Sequence, residues 1–232
     1  MLRQVLLSAS RSDRLRTVVE KAPLSRAVVA RYVPGGATED AVRASRELVD
    51  DGLNVTIDHL GEDTTDRAEA DQVAQAYLTL LSALDAAGLT QRAEVSVKLS
   101  AVGQALPVDG EKIALDNARA ITAAARGVGT TVTLDMEDHT TTDSTLGILA
   151  ELRQDFPQTG AVLQAMLRRT EADCRDLATA GSRVRLCKGA YLEPAAVAYP
   201  EKPDVDQAFI RLMERLLQRG NYPGLATHDE AM

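Results

Sequence analysis

At 232 residues the chain is long enough for one large domain or two small ones, and an apolar share of 45% suffices for a packed core. A formal charge of −8, with aromatics at 3% and no Trp, excludes a general nucleic-acid binder and a base-stacking surface but leaves room for a local basic pocket. Cys174 and Cys187 show no metal-ligand spacing and are expected to be reduced in a cytoplasmic protein. No apolar run could span a bilayer, and Met1 to Arg16 lacks the apolar segment and cleavage site of a signal peptide.

Residues 2–50 read as short helices, divided at Pro23 and at Pro34-Gly35-Gly36. Thr38 is the expected N-cap of a helix that Gly52 ends, and 1–52 is expected to form an N-terminal helical segment. From residue 53 to 232 the character changes. Val55-Thr56-Ile57-Asp58 alternates as a strand does. A helix is predicted from about Thr65 to Ala87, with Val73, Tyr77, Leu80, Leu81 and Leu84 as its apolar stripe. The unit then recurs. Strands are predicted at 95–99, 131–136, 161–164, 183–187 and 225–228. Helices are predicted from about Asp109 to Arg126, from Thr142, from a capping-box-like Thr170-Glu171-Ala172-Asp173, and from about Val205 to Gln218. Strands alternating with helices mean βα units and a parallel sheet.

The strands carry polar groups on one parity. Val95, Val97 and Leu99 alternate with Ser96, Lys98 and Ser100, and Val132, Leu134 and Met136 with Thr133, Asp135 and Glu137. An open doubly wound sheet would be apolar on both faces. A (β/α) barrel, with its site at the carboxyl ends of the strands, accounts for one greasy and one polar face. Its mouth would hold Asp58, Glu62, Lys98, Asp135, Glu137, Gln164, Arg185, Lys188, Thr227 and His228. There is no zinc-like His/Cys cluster, nucleophile elbow, P-loop or dinucleotide fingerprint, and no metal is expected. Acids facing cations suit a small zwitterion or a phosphate-bearing cofactor. Arg183 to Tyr191 ends in Lys-Gly-Ala-Tyr, where a glycine lets the backbone approach a ligand. His59, His139 and Cys187 read as packing or loop residues, and Arg168-Arg169 as a solvated pair.

Ser96-Val97-Lys98-Leu99-Ser100-Ala101, Asp135-Met136-Glu137, Gln164-Ala165, Arg185 to Tyr191 and Ala226-Thr227-His228 fall in the order of the strand-end motifs of proline dehydrogenases. Leu60-Gly61-Glu62 fits the exit of the first strand. Over roughly residues 55–230 the chain resembles the monofunctional bacterial form of that family. The resemblance implies an α/β fold of the (β/α)8 TIM-barrel family, here with about six strands and the N-terminal helical extension. It implies FAD rather than FMN or NAD as cofactor. It also implies oxidation of L-proline to 1-pyrroline-5-carboxylate with a quinone as acceptor, in a cytoplasmic protein able to touch the inner face of the membrane peripherally. By motif, Lys98 would pair with the substrate carboxylate, Asp135 would shape the pocket, and Tyr191 would pack over the proline ring. Gln164 would bond the flavin ring and Arg185 would lie near its N5. Lys188, Gly189 and Ala190 would serve the ribityl-phosphate portion, and Thr227 and His228 the part of FAD away from the ring. The alternative readings are a flavin barrel of the methylenetetrahydrofolate reductase type and a non-catalytic fragment that keeps the flavin half of the site.

Three departures accompany the resemblance. Met166 stands where the family usually has Tyr, and Leu192 where many members have an aromatic. The family pattern continues through two more strands and an Arg-Arg-x-x-Glu helix that grips the substrate carboxylate, whereas this sequence stops at Met232. From unpaired sheet edges and the missing clamp, the 232-residue chain is expected to be nearly inactive, and either poorly soluble or dependent on a partner.

Overall fold

The computed structural model describes residues 33–179, 181–219 and 222–229. The short helices expected before Val33, and the break at Pro23, lie outside the described residues. The elements in chain order are α1 (Thr38–Asp50), β1 (Val55–Asp58), α2 (Arg67–Ala86), β2 (Ala93–Val97) and a π-turn (Ser100–Gln104). There follow α3 (Gly110–Gly127), β3 (Val132–Leu134), α4 (Thr142–Asp155), β4 (Gly160–Gln164), α5 (Thr170–Leu177), β5 (Arg183–Cys187), α6 (Lys202–Arg219) and β6 (Tyr222–Ala226).

The six strands form one parallel sheet in the order β1-β2-β3-β4-β5-β6. Each strand pairs with the next in sequence, which is the winding of a barrel; a doubly wound sheet reverses its order part-way. The register sets Asp58 beside Ser96, Ser96 beside Thr133 and Val162 beside Arg185. The apolar parity packs outward under the helices. Val95, Val97 and Leu99 bury against Tyr77, Leu81 and Leu84 of α2 and Ala114, Ala118 and Ile121 of α3. Leu163, Val184 and Leu186 bury against Phe209, Leu212 and Leu216 of α6. Each such Leu or Phe contributes about 1.5–3 kcal/mol by leaving water. Residues of α1 join the first cluster, with Val42 and Val49 packed against it.

The polar parity faces the concave side. Near the amino ends of the strands, Glu94 accepts hydrogen bonds from Arg183 Nη2 (2.8 Å), Thr131 Oγ1 (2.7 Å), Thr56 Oγ1 (3.1 Å) and Thr133 Oγ1 (3.3 Å). Four donors satisfy a carboxylate that the strands hold away from bulk water. A cavity of about 400 Å³ opens beside this group, lined by Thr56, Glu94, Thr131, Arg183 and Tyr222. It opens toward the stability end of the barrel, and Arg185 in the middle of β5 borders it from the side of the strand exits.

The structure corrects several sequence expectations. Ala37, not Thr38, sits at the N-cap of α1, and Asp40 accepts its N–H from inside the helix at 3.4 Å. Thr170 opens no capping box: Arg169 holds the N-cap position, and the Thr170 hydroxyl donates to the Gln164 carbonyl at 2.6 Å. β2 ends at Val97 and β3 at Leu134, so Lys98, Asp135 and Glu137 stand just past their strands. β6 begins at Tyr222 and ends at Ala226, leaving Thr227 and His228 in its exit. Arg169 pairs with Asp143 (2.7 Å) and Asp173 (2.8 Å), and Arg168 lies 4.6 Å over the Tyr199 ring, so neither is merely solvated.

Candidate active site

The exits of β1 and β2 bring one cation between two acids. Lys98 Nζ is 3.7 Å from both Asp58 Oδ2 and Glu62 Oε2. Burial pushes the Asp58 carboxyl above its ordinary range, and the Lys98 charge offsets part of that rise. The Tyr77 hydroxyl donates to the Ser96 carbonyl (2.7 Å), accepts the His59 N–H (3.1 Å) and stands 3.3 Å from Asp58 Oδ1. The apolar stripe of α2 thus ends in a polar tip that reaches the site.

At the next exit, Arg185 donates to Ser96 Oγ at 2.8 Å and forms a close ion pair with Asp135. β5 and the exit of β3 supply the two charges, and the barrel register turns them toward each other. Glu137 is 5% exposed, and its two oxygens accept Ser100 Oγ (2.5 Å) and Ser100 N–H (3.0 Å). Ser100 Oγ in turn accepts the Asp63 N–H at 2.9 Å, and the Glu137 carbonyl accepts Gln164 Nε2 at 2.6 Å. The exits of β1, β2, β3 and β4 are therefore linked by one chain of hydrogen bonds. Gly103 makes the π-turn possible. Its φ is +126°, and a Cβ there would lie 2.6 Å from Ile113 Cγ2.

Burial holds the Glu137 carboxyl above its ordinary value of 4.5, with the Ser100 donors opposing it. The folded pKa exceeds the unfolded one, so the stability this group contributes is fully present below the unfolded value. It is lost as pH rises through the folded value. Glu137→Gln should remove that loss. In melts from about pH 4 to about pH 7, wild-type stability should decline relative to the variant as pH rises. A constant gap between the two would contradict the assignment.

The segment after β5 covers the mouth. Lys188 is held by Asp206 Oδ1 (2.8 Å) and Asp229 Oδ2 (2.7 Å), whose bonds raise its pKa. Gly189 has φ +104° and packs on Met166. Tyr191 OH donates to Glu62 Oε2 at 3.3 Å. Burial, then the Glu62 charge, push this phenol up and keep it protonated. Ala190 and His228 are exposed and Thr227 half-buried. Burial also pushes the Cys187 thiol up to about 11, which keeps it a thiol at neutral pH. Among the described residues no cluster of His, Cys, Asp or Glu could hold a metal ion.

The structure thus gathers Asp58, Glu62, Lys98, Asp135, Arg185 and Tyr191 at one end of a parallel barrel-type sheet: a polar site of mixed charge at strand exits. The family model described as proline dehydrogenase matches residues 41–231. A proline dehydrogenase of Deinococcus radiodurans is 43% identical over 86% of this chain and 64% of its own length. Proline dehydrogenase 1 of Bacillus subtilis (strain 168) is 39% identical over 99% of this chain and 74% of its own. The chain therefore belongs to the proline dehydrogenase family, and it spans roughly two thirds to three quarters of these two relatives. Among solved structures, proline utilization A from Bdellovibrio bacteriovorus superposes with a TM-score of 0.79 at 23% identity, over 88% of this chain and 26% of that one. The corresponding protein of Corynebacterium freiburgense gives 0.73 at 24% identity, over 88% and 24%. At such identity these two matches establish the fold alone.

Proposed function

We propose that the chain carries the active site of an FAD-dependent oxidation of L-proline to 1-pyrroline-5-carboxylate, with a quinone as final acceptor. The observation that supports this most is the pair of cations, Lys98 at the exit of β2 and Arg185 on the concave face of β5, brought beside Asp58, Glu62 and Asp135 in a chain of this family. Proline is a zwitterion with a small apolar ring. Lys98 offers its carboxylate a charge-assisted hydrogen bond, and Tyr191, bonded to Glu62, would pack its ring over the proline ring. Asp58 and Glu62 hold Lys98 in place before substrate arrives.

The donor set fits a flavin. Along β5 and its exit, the guanidinium of Arg185, the ammonium of Lys188 and the backbone of Gly189 follow one another within five residues. Gln164 would hold the flavin ring. Lys188, Gly189 and Ala190 would hold the ribityl-phosphate portion, with Thr227 and His228 farther out. Lys188 would exchange one of its two carboxylate partners for a phosphate oxygen. A bound flavin supplies the two-electron acceptor for the ring C–H and the amine N–H that proline loses. Arg185 places a fixed positive charge where negative charge develops, and Asp135 and Ser96 hold it in position. No helix among the described residues is long and apolar enough to cross a membrane.

The test is direct. A version of the protein extended to the length of its family relatives is loaded with FAD or FMN, its flavin absorbance is measured, and proline oxidation is followed with a dye acceptor. FAD uptake with proline turnover is expected; uptake of FMN alone would sink the cofactor reading. Lys98→Ala should raise KM for proline about ten- to a hundredfold, from about 1.5–3 kcal/mol of lost carboxylate contact, with flavin content unchanged. Loss of flavin at constant KM would move Lys98 to the cofactor side.

A further inference from the structure

The segment 188–201, between β5 and α6, carries Tyr191 and Leu192 across the mouth. Backbone bonds tether its two ends: Met166 N–H to the Lys188 carbonyl (2.9 Å), Arg168 N–H to the Val197 carbonyl (2.9 Å) and Tyr199 N–H to the Met166 carbonyl (2.8 Å). Its middle is held differently. The Glu193 side chain is 3% exposed, although Leu192 beside it is 61% exposed. Glu193 Oε1 accepts the His139 N–H at 2.9 Å, and Oε2 pairs with His139 Nδ1. A buried carboxylate costs several kcal/mol unless it is paired and hydrogen-bonded, and here one residue supplies both bonds. The anchor is itself rigid. Asp138 Oδ1 accepts Thr140 N–H (2.9 Å) and Oγ1 (2.6 Å), and its carbonyl accepts Thr141 N–H (3.3 Å) at the start of α4.

Two residues before Glu193, the Tyr191 hydroxyl reaches Glu62, which stands 3.7 Å from Lys98. We propose that Glu193 is a positioning residue. By gripping His139 it pins the segment from β5 to the exit of β3, and so sets Tyr191 against Glu62 across the mouth that receives the substrate. This deepens the proline-oxidising reading and rests on it for the kinetic consequence, though not for the clamp itself.

Amide hydrogen exchange of the whole protein reads the clamp. Glu193→Ala should speed exchange at the His139 N–H, which Glu193 accepts, by about tenfold or more, with the strand amides unchanged. Glu193→Gln keeps an acceptor for the His139 N–H and should restore part of that protection. In the flavin-loaded protein, Glu193→Ala should raise KM for proline about tenfold, lower kcat less, and leave flavin content unchanged. Combined with Tyr191→Phe it should add little, because both changes act through one contact. Unchanged exchange in Glu193→Ala overturns the proposal. So do strictly additive effects in the double variant, and so does flavin loss that tracks the rise in KM. A wild-type protein extended to the length of its relatives that binds flavin yet oxidises no proline would refute the functional reading instead; exchange at His139 would still decide the clamp.

Discussion

Arg185→Ala is expected to lower proline turnover by about 10²–10³-fold, the usual cost of removing one preorganised group at a site of developing charge. Two effects act together. The guanidinium bridges Ser96 and Asp135, so its loss removes a fixed positive charge and leaves Asp135 without its cation in a mostly enclosed position. Leaving that carboxylate unsatisfied costs about 1–3 kcal/mol of stability. Solvent reaching the partly exposed Arg185 makes the lower end of that range the better expectation. Arg185→Lys separates the two effects. Both contacts come from Arg185 Nη2, and lysine restores the charge on a shorter side chain whose ammonium does not reach the place of that nitrogen between Ser96 and Asp135. It should recover most of the melting temperature and much less of the turnover. Turnover near wild type in Arg185→Ala would remove Arg185 from the chemistry.

The strands were legible where one face is buried by helices. Arg183-Val184-Arg185-Leu186-Cys187 alternates because Val184 and Leu186 pack under α6 while the arginines face the concave side, and its observed bounds match the alternation. β3 shows where the rule overreaches. Asp135-Met136-Glu137 continues the alternation, and Asp135 still donates its N–H to the Val97 carbonyl at 2.9 Å, but the chain has already left the sheet. The π-turn left no periodic trace. Its one sequence signal is Gly103, and a lone glycine does not say which strained backbone it serves.

Parity also placed Asp58, Lys98, Asp135 and Arg185 at one end of the barrel, yet it could not pair them. That Arg185 meets Asp135 and Ser96 depends on the sheet register, which joins residues 50 and 89 apart in the chain. Tyr77 looked apolar because only its hydroxyl, at the tip of a core ring, is polar. Asp206 carries no signal in the sequence, and its bond to Lys188 forms only when α6 packs behind β5. Glu193 was silent for the same reason: a glutamate in a Pro-containing loop looks solvated, and its burial is a tertiary fact.

The departure at Met166 gains meaning beside Gly189, and Gly189→Ala should be the most damaging small substitution in the segment after β5. A Cβ there would sit 2.5 Å from Met166 Sδ and 2.6 Å from its Cγ, and the backbone is at φ +104°. The clash is the lesser effect, because a methionine side chain can swing aside, although Met166 is only 6% exposed and would disturb Leu167 and Ala198 as it moved. The backbone strain cannot relax without moving Lys188, whose carbonyl accepts the Met166 N–H at 2.9 Å. A non-glycine residue at such a φ costs about 1–3 kcal/mol. The expected result is a loss of about 2–4 kcal/mol in unfolding stability. Flavin retention should fall with it, because Lys188 is displaced. Met166→Ala added to Gly189→Ala should return only the clash part and leave the strain. Full rescue by Met166→Ala would show that the clash dominates and that the left-handed backbone is not required. Wild-type stability in Gly189→Ala alone would mean that the turn takes another conformation in solution.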